Sequence, residues 1–163
     1  MEFSLKRFKN IEELTYNFEV VTPMFVSGAN QSKAELREPT IKGLLRFWWR
    51  ATSNFKNIQD MKKNEDFLFG STESKSNITI NIIEKELQTS TKLPEGKKFI
   101  LPGKKYKGDI IKYLSIGCDG RGFIESGSIF KIKILLPKEN YQEIYIALYA
   151  LYTFGGMGSK SRN

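Results

Sequence analysis

Three cations, Lys42, Arg46 and Arg50, recur at i, i+4 and i+8. On an α-helix this spacing brings all three to nearly one side, with about 40° of drift per step. Trp49 lies beside them. An aromatic ring next to a cationic row can stack on a nucleobase, an interaction of about 1–3 kcal/mol per base. The same spacing equally describes a solvated charged face opposite a buried one. A second candidate is the run Gly155-Gly156-Met157-Gly158-Ser159-Lys160-Ser161-Arg162. Glycine permits positive φ and lets backbone N–H groups approach an anion, while Ser159, Lys160, Ser161 and Arg162 add donors and charge. The plainer alternative is a helix C-cap followed by a flexible tail. A Walker A loop is excluded, because that motif needs glycine directly before Lys-Ser between a strand and a helix. Here Ser159 precedes Lys160, and a helical segment comes before the loop.

Acid–base and metal chemistry have less to work with. Histidine is absent and Cys118 is the single cysteine, which removes the commonest general acid–base residue, multi-cysteine metal sites and intrachain disulfides. Carboxylates are plentiful (Glu35, Glu38, Asp66, Asp109, Asp119, Glu125), but no spacing sets two of them on one helical face as an acid–base pair. Asp119 in CDGRG could sit at a metal or a scissile phosphate, although Asp beside Gly is ordinarily a turn. No catalytic residue, metal ligand or cofactor site is therefore expected. Lys and Arg total 26 against 18 Asp and Glu, a net charge of +8. That excess attracts polyanions such as nucleic acid or acidic lipid.

The elements that must position these groups follow from periodicity. Thr15–Thr22 alternates and is rich in β-branched and aromatic residues, which predicts a strand ending at Pro23. Beyond Pro39, the segment TIKGLLRFWWRATSNF places Ile41, Leu44, Leu45, Trp48 and Ala51 at helical spacing, so one face is expected to be buried. Gly43 costs that helix about 1 kcal/mol against alanine, which suggests a close approach to its backbone. A polar stretch leads to FLFGST. Asn77–Glu86 reads as a second strand with Ile78, Ile80 and Ile82 on one face, and Ile129–Leu136 as a third. Residues 88–128 read as an insertion with little regular structure. Tyr141–Phe154 reads as a helix apolar almost all round, to be packed deeply or covered by a partner. The longest apolar run, Ile144–Tyr152, is nine residues, less than half of the roughly 20 that a membrane span needs. With 163 residues, a single domain is expected. The order β-α-β, insertion, β-α supplies five of the six elements of an α+β, ferredoxin-like (RRM-like) unit.

Taken together, ELREPTIKGLLRFWWRA (35–51), FLFGST (67–72) and YTFGGMGSKSRN (152–163) resemble the RAMP superfamily of CRISPR proteins. The most specific likeness is to the branch forming the head subunit of the type III-B (Cmr) effector complex. It rests on Pro39, Ile41, Lys42, Gly43, Leu44, Arg46, Trp48, Trp49 and Arg50, and on the Gly-Gly-x-Gly-Ser-Lys-Ser-Arg loop after a helix. The resemblance implies a noncatalytic, cytoplasmic subunit in antiviral defence that binds guide RNA (crRNA), with target RNA a further candidate, and assembles with other Cmr subunits. By motif match, the RNA-binding role carries to Lys42, Arg46, Arg50, Gly156, Gly158, Ser159, Lys160, Ser161 and Arg162. Members of this branch usually continue past the loop with Gly-Phe-Gly, a further strand and a second similar domain. The likeness covers only the first half of such proteins: either another chain is expected to supply the final strand and the C-terminal half, or the sequence is a fragment of a longer one. That sheet edge, and the face of the second helix bearing Ile144, Ile146, Leu148 and Leu151, are expected to be left uncovered. Two other classes compete: a metal-independent RNA endonuclease of the RAMP kind, and a scaffold that contacts only proteins.

Overall fold

A computed structural model of the chain describes residues 10–100, 103 and 107–159. Its long elements are strand β1 (Ile11–Glu19), helices α1 (Glu38–Thr52) and α2 (Ile58–Phe69), strands β2 (Thr79–Glu86) and β7 (Ile129–Pro137), and helix α4 (Tyr141–Phe154). Between β2 and β7 the described residues form short pieces: β3 (Thr89–Ser90), β4 (Lys98–Ile100), β5 (Lys107–Asp109), α3 (Ile110–Leu114) and β6 (Phe123–Ile124). The long strands form one sheet in the order β1-β7-β2. Lys138 N–H donates to Asn10 O, and Val20 N–H to Ser128 O, so β1 and β7 run antiparallel. β3–β6 and β4–β5 are separate antiparallel pairs.

The described residues group into two compact units. The first holds the residues up to Asn17, Glu38–Glu84 and Lys131–Gly155; the second holds Phe18–Arg37, Lys85–Phe130 and the residues from Gly156. In the first unit, β7 alternates strictly, burying Ile132, Ile134 and Leu136 while Lys131 and Lys133 face outward. Those lysines pair with Glu84 and Glu13 on the flanking strands, at 2.7 and 2.8 Å. Helix α1 packs chiefly on α4, and burying a side chain such as Leu45 or Ile144 contributes about 1.5–3 kcal/mol. In the second unit, Phe25, Cys118 and Phe123 form a small core joined by Leu93.

The structure corrects several sequence expectations. Helix α1 is rotated from the anticipated face: its buried row is Ile41, Leu45 and Trp49, and Ala51 is exposed. Both rows satisfy a 3.6-residue period, so spacing alone does not choose between them. Helix α2 occupies a stretch anticipated only as polar. Asn57 caps it by accepting from Asp60 N–H at 2.8 Å, and Gly70 ends it at φ 82°. Helix α4 has the expected bounds but two unlike faces. Ile144, Ala147, Leu148, Ala150 and Leu151 are buried, whereas Tyr145, Ile146, Tyr149 and Tyr152 are exposed. Of the four residues expected to be uncovered there, only Ile146 is.

Candidate nucleic-acid interface

The first candidate surface is the polar side of α1, within the first unit. Pro39 occupies the first turn, where its missing N–H costs nothing. Lys42 is half-buried and has no ion-pair partner among the described residues. Burial, and secondarily Arg46, hold its amine below the ordinary lysine value. Arg46 and Arg50 do not stand alone. Glu65 of α2, buried to 5% exposure, accepts from Arg46 Nε and takes Arg50 Nη1 at 3.3 Å. One carboxylate therefore partly neutralises two of the three stripe cations. Glu65 was not anticipated; the signal available was an acidic residue among the apolar positions Met61, Leu68 and Phe69 of an N-capped segment.

Trp49 is corrected as a stacking platform. It is 0% exposed, its Nε1–H donates to Glu143 Oε2 at 2.9 Å, and its ring packs on Phe55 and Phe69. A ring enclosed in that way cannot receive a base. Trp48 is half-buried against Phe154, while Phe47 is the exposed aromatic residue of α1. The expected close approach at Gly43 is also corrected. A Cβ there meets nothing within 4 Å among the described residues.

The second candidate is the glycine-rich loop. Gly155 ends α4 with its N–H donating to Leu151 O at 3.0 Å, and a Cβ at that position would lie 2.8 Å from Trp48 Nε1. From Gly156 onward the loop belongs to the second unit. Gly156 is half-buried. Gly158 has φ 103°, which disfavours any L side chain, and a Cβ there would lie 2.8 Å from Phe25 O. Ser159 N–H donates to that same oxygen at 2.8 Å, so this amide is already engaged. The Ser159 hydroxyl accepts from Arg121 Nη1 at 2.8 Å. Lys160, Ser161 and Arg162 lie outside the described residues. Each surface thus carries donors and cations suited to phosphate oxygens.

Two of the carboxylate candidates lie at a helix cap and in a turn. Asp109 caps α3, accepting from the Ile111 and Lys112 N–H groups. A hydrogen bond from Lys98 at 3.0 Å, with those from the backbone, lowers its carboxyl to about 2. Asp119 lies in a turn closed by Arg121 N–H to Cys118 O at 3.1 Å, with Gly120 at φ 71°. Among the described residues, no three His, Cys, Asp or Glu side chains gather as metal ligands. No helix among them is long and apolar enough to cross a membrane.

Comparison with known proteins agrees with this architecture. Two CRISPR-system Cmr subunits of Pyrococcus furiosus are similar in sequence. Cmr1-1 is 32% identical over 139 residues, covering 78% of this chain, and Cmr1-2 is 34% identical over 71 residues, covering 42%. The chain spans 38% of the length of each. The fold is similar to the crystal structure of apo Cmr1 from Pyrococcus furiosus, with a TM-score of 0.63 and 24% identity over 93% of this chain and 46% of that one. It is also similar to a chain in the cryo-EM structure of the type III-B Cmr-beta complex bound to cognate target RNA. There the TM-score is 0.53 at 15% identity, over 94% of this chain and 52% of that one. The RAMP superfamily model matches residues 17–163, and this chain therefore belongs to the RAMP superfamily.

Proposed function

We propose that this protein is a noncatalytic RNA-binding subunit of a type III-B CRISPR effector, working in the cytoplasm with guide RNA, target RNA and other Cmr subunits. The observation that carries this reading is the glycine-rich loop of a RAMP protein: Gly158 at φ 103°, a Ser159 anchored by its own amide, and Lys160 and Arg162 following it in the sequence. The net charge of +8 and the likeness to Cmr1 support it. Lys42, Arg46 and Arg50 on α1, and Gly156, Gly158, Ser159, Lys160, Ser161 and Arg162 of the loop, are the proposed RNA contacts; Trp49, enclosed in the core, is not among them. The sheet order β1-β7-β2, with α1 following β1 and α4 following β7 in sequence, supports a ferredoxin-like unit. In that arrangement a fourth strand pairs with the outer edge of β1, which pairs with no strand among the described residues.

Filter binding of single-stranded RNA across a salt series tests the central claim. Affinity should fall steeply and linearly on a log–log plot as salt rises. Binding that ignores salt, or no binding by the chain copurified with Cmr subunits, would overturn it.

A further inference from the structure

Arg121 is held between two tight backbone approaches in the second unit. On one side its N–H closes the turn to Cys118 O. On the other, Gly122 leaves no room for a side chain, since a Cβ would lie 2.5 Å from Ala34 N and 2.6 Å from Ser32 O. Gly122 N–H donates to Gln31 O at 3.1 Å. The CDGRG segment is thereby pinned against the 27–34 turn, whose ends are bridged at Ser27 and Ala34. The guanidinium then spans two hydroxyls: Nη1 donates to Ser159 Oγ at 2.8 Å and Nη2 to Ser27 Oγ at 3.2 Å. Arg37 Nη2 also reaches Ser27 O, at 3.4 Å. Nε of Arg121 is buried without an acceptor among the described residues.

No carboxylate pairs with Arg121 among the described residues. Hydroxyls orient a guanidinium without cancelling its charge, and that charge acts more strongly where water is partly excluded. Because Ser159 Oγ accepts from Arg121, its own O–H is left to donate outward. We propose that Arg121 is the positioning residue of the glycine-rich loop, holding Ser159 and Ser27 while keeping one unneutralised positive charge beside the loop for an RNA phosphate. This assignment rests on the RNA-binding reading above, but its geometric half can be measured without RNA.

The experiment compares the full chain with Arg121→Gln, Arg121→Lys and Ser27→Ala. It reads hydrogen exchange at the Ser159 amide without RNA, then single-stranded RNA affinity, with thermal melts to confirm folding. Arg121→Gln and Arg121→Lys should both speed Ser159 exchange, since neither side chain bridges two hydroxyls in one plane. Ser27→Ala, which removes one partner only, should do so less. RNA affinity should fall about tenfold in Arg121→Gln and about threefold in Arg121→Lys, which keeps the charge but loses the fork. Unchanged Ser159 exchange in folded Arg121→Gln would overturn the positioning role. Equal affinity losses in the two arginine variants would overturn the role of the charge. Faster exchange in Arg121→Gln, with a parent chain that binds no RNA, would keep the positioning contact and defeat the RNA-binding reading instead.

Discussion

The α1 stripe and the Arg121 turn both present arginine, yet they treat its charge in opposite ways. On α1, Arg46 and Arg50 converge on Glu65, a carboxylate at 5% exposure. Around Arg121 the partners are Ser27 and Ser159 hydroxyls, and among the described residues no carboxylate is paired with it. A buried carboxylate must be paired or it costs several kcal/mol, so the Glu65 contacts serve α1–α2 packing before they serve any ligand. The hydroxyl-held arginine donates one hydrogen bond from each Nη without losing its charge. The more conspicuous sequence pattern is thus the more neutralised site, and the cation outside any pattern keeps its field.

The strongest way to break this comparison is through the core beneath the stripe. Trp49→Ala should destabilise the protein by about 3–5 kcal/mol, as large-to-small changes of enclosed aromatics do, and leave Glu143 without its indole donor. Chemical denaturation measures it. If Trp49 were instead a base platform, the variant would keep its denaturation midpoint and lose RNA affinity alone.

Glu65→Gln sharpens the comparison with a smaller effect. The amide keeps the volume but gives up the charge that holds Arg46 and Arg50. A stability loss of about 1–2 kcal/mol is expected, moderated because both arginines are partly solvated. Released from the carboxylate, the arginines should bind RNA severalfold more tightly, and the salt slope should steepen by about one. Weaker binding with an unchanged slope would show that Glu65 orients the arginines toward RNA rather than withholding them.

Much of the scaffold was legible in the sequence, and the misses share physical causes. Strict alternation in β7, with outward lysines between buried isoleucines, leaves one reading, and the apolar run of α4, bounded by Asn140 and Gly155, is long enough to give Tyr141–Phe154. The period of α1 is plain in the sequence but its phase is not, because Ile41-Leu45-Trp49 and Ile41-Leu44-Trp48 both satisfy helical spacing and only the packing against α4 chooses. Helix α2 is hard to read because its polar residues hide a narrow apolar strip, although Asn57 and Gly70 mark its two ends. Of the loop, glycine content was readable from composition. Arg121, 38 residues from Ser159 in sequence, was not, because no local pattern encodes a contact made between two distant turns.

Gly43→Ala is expected to act more weakly again, and in the opposite direction. The residue is exposed in α1, with an ordinary helical φ and open space where a Cβ would go. Alanine should therefore stabilise the helix by about 0.8–1 kcal/mol. A gain of that size in thermal melting, with unchanged RNA affinity, marks Gly43 as a surface position without a ligand. The same gain accompanied by weaker binding would place RNA backbone against this turn and restore α1 as the closer of the two regions to the ligand.

The subtlest difference between the regions lies in a titration rather than in stability. Lys42, on α1, is held below the ordinary lysine value of 10.5 by burial and then by Arg46. A folded-state value beneath the unfolded one means that charging Lys42 opposes folding at neutral pH. Its penalty is fully present below the folded value and is relieved as pH rises through the unfolded one, so this group alone adds stability on the alkaline side. A phosphate seated beside it would reverse the sign, favouring the ammonium and raising its value toward or past 10.5. NMR titration of the Lys42 side chain with and without single-stranded RNA should show that upward shift if the stripe contacts phosphate despite Glu65. A Lys42 titration indifferent to saturating RNA would leave the glycine-rich loop and Arg121 as the binding region and reduce α1 to scaffold.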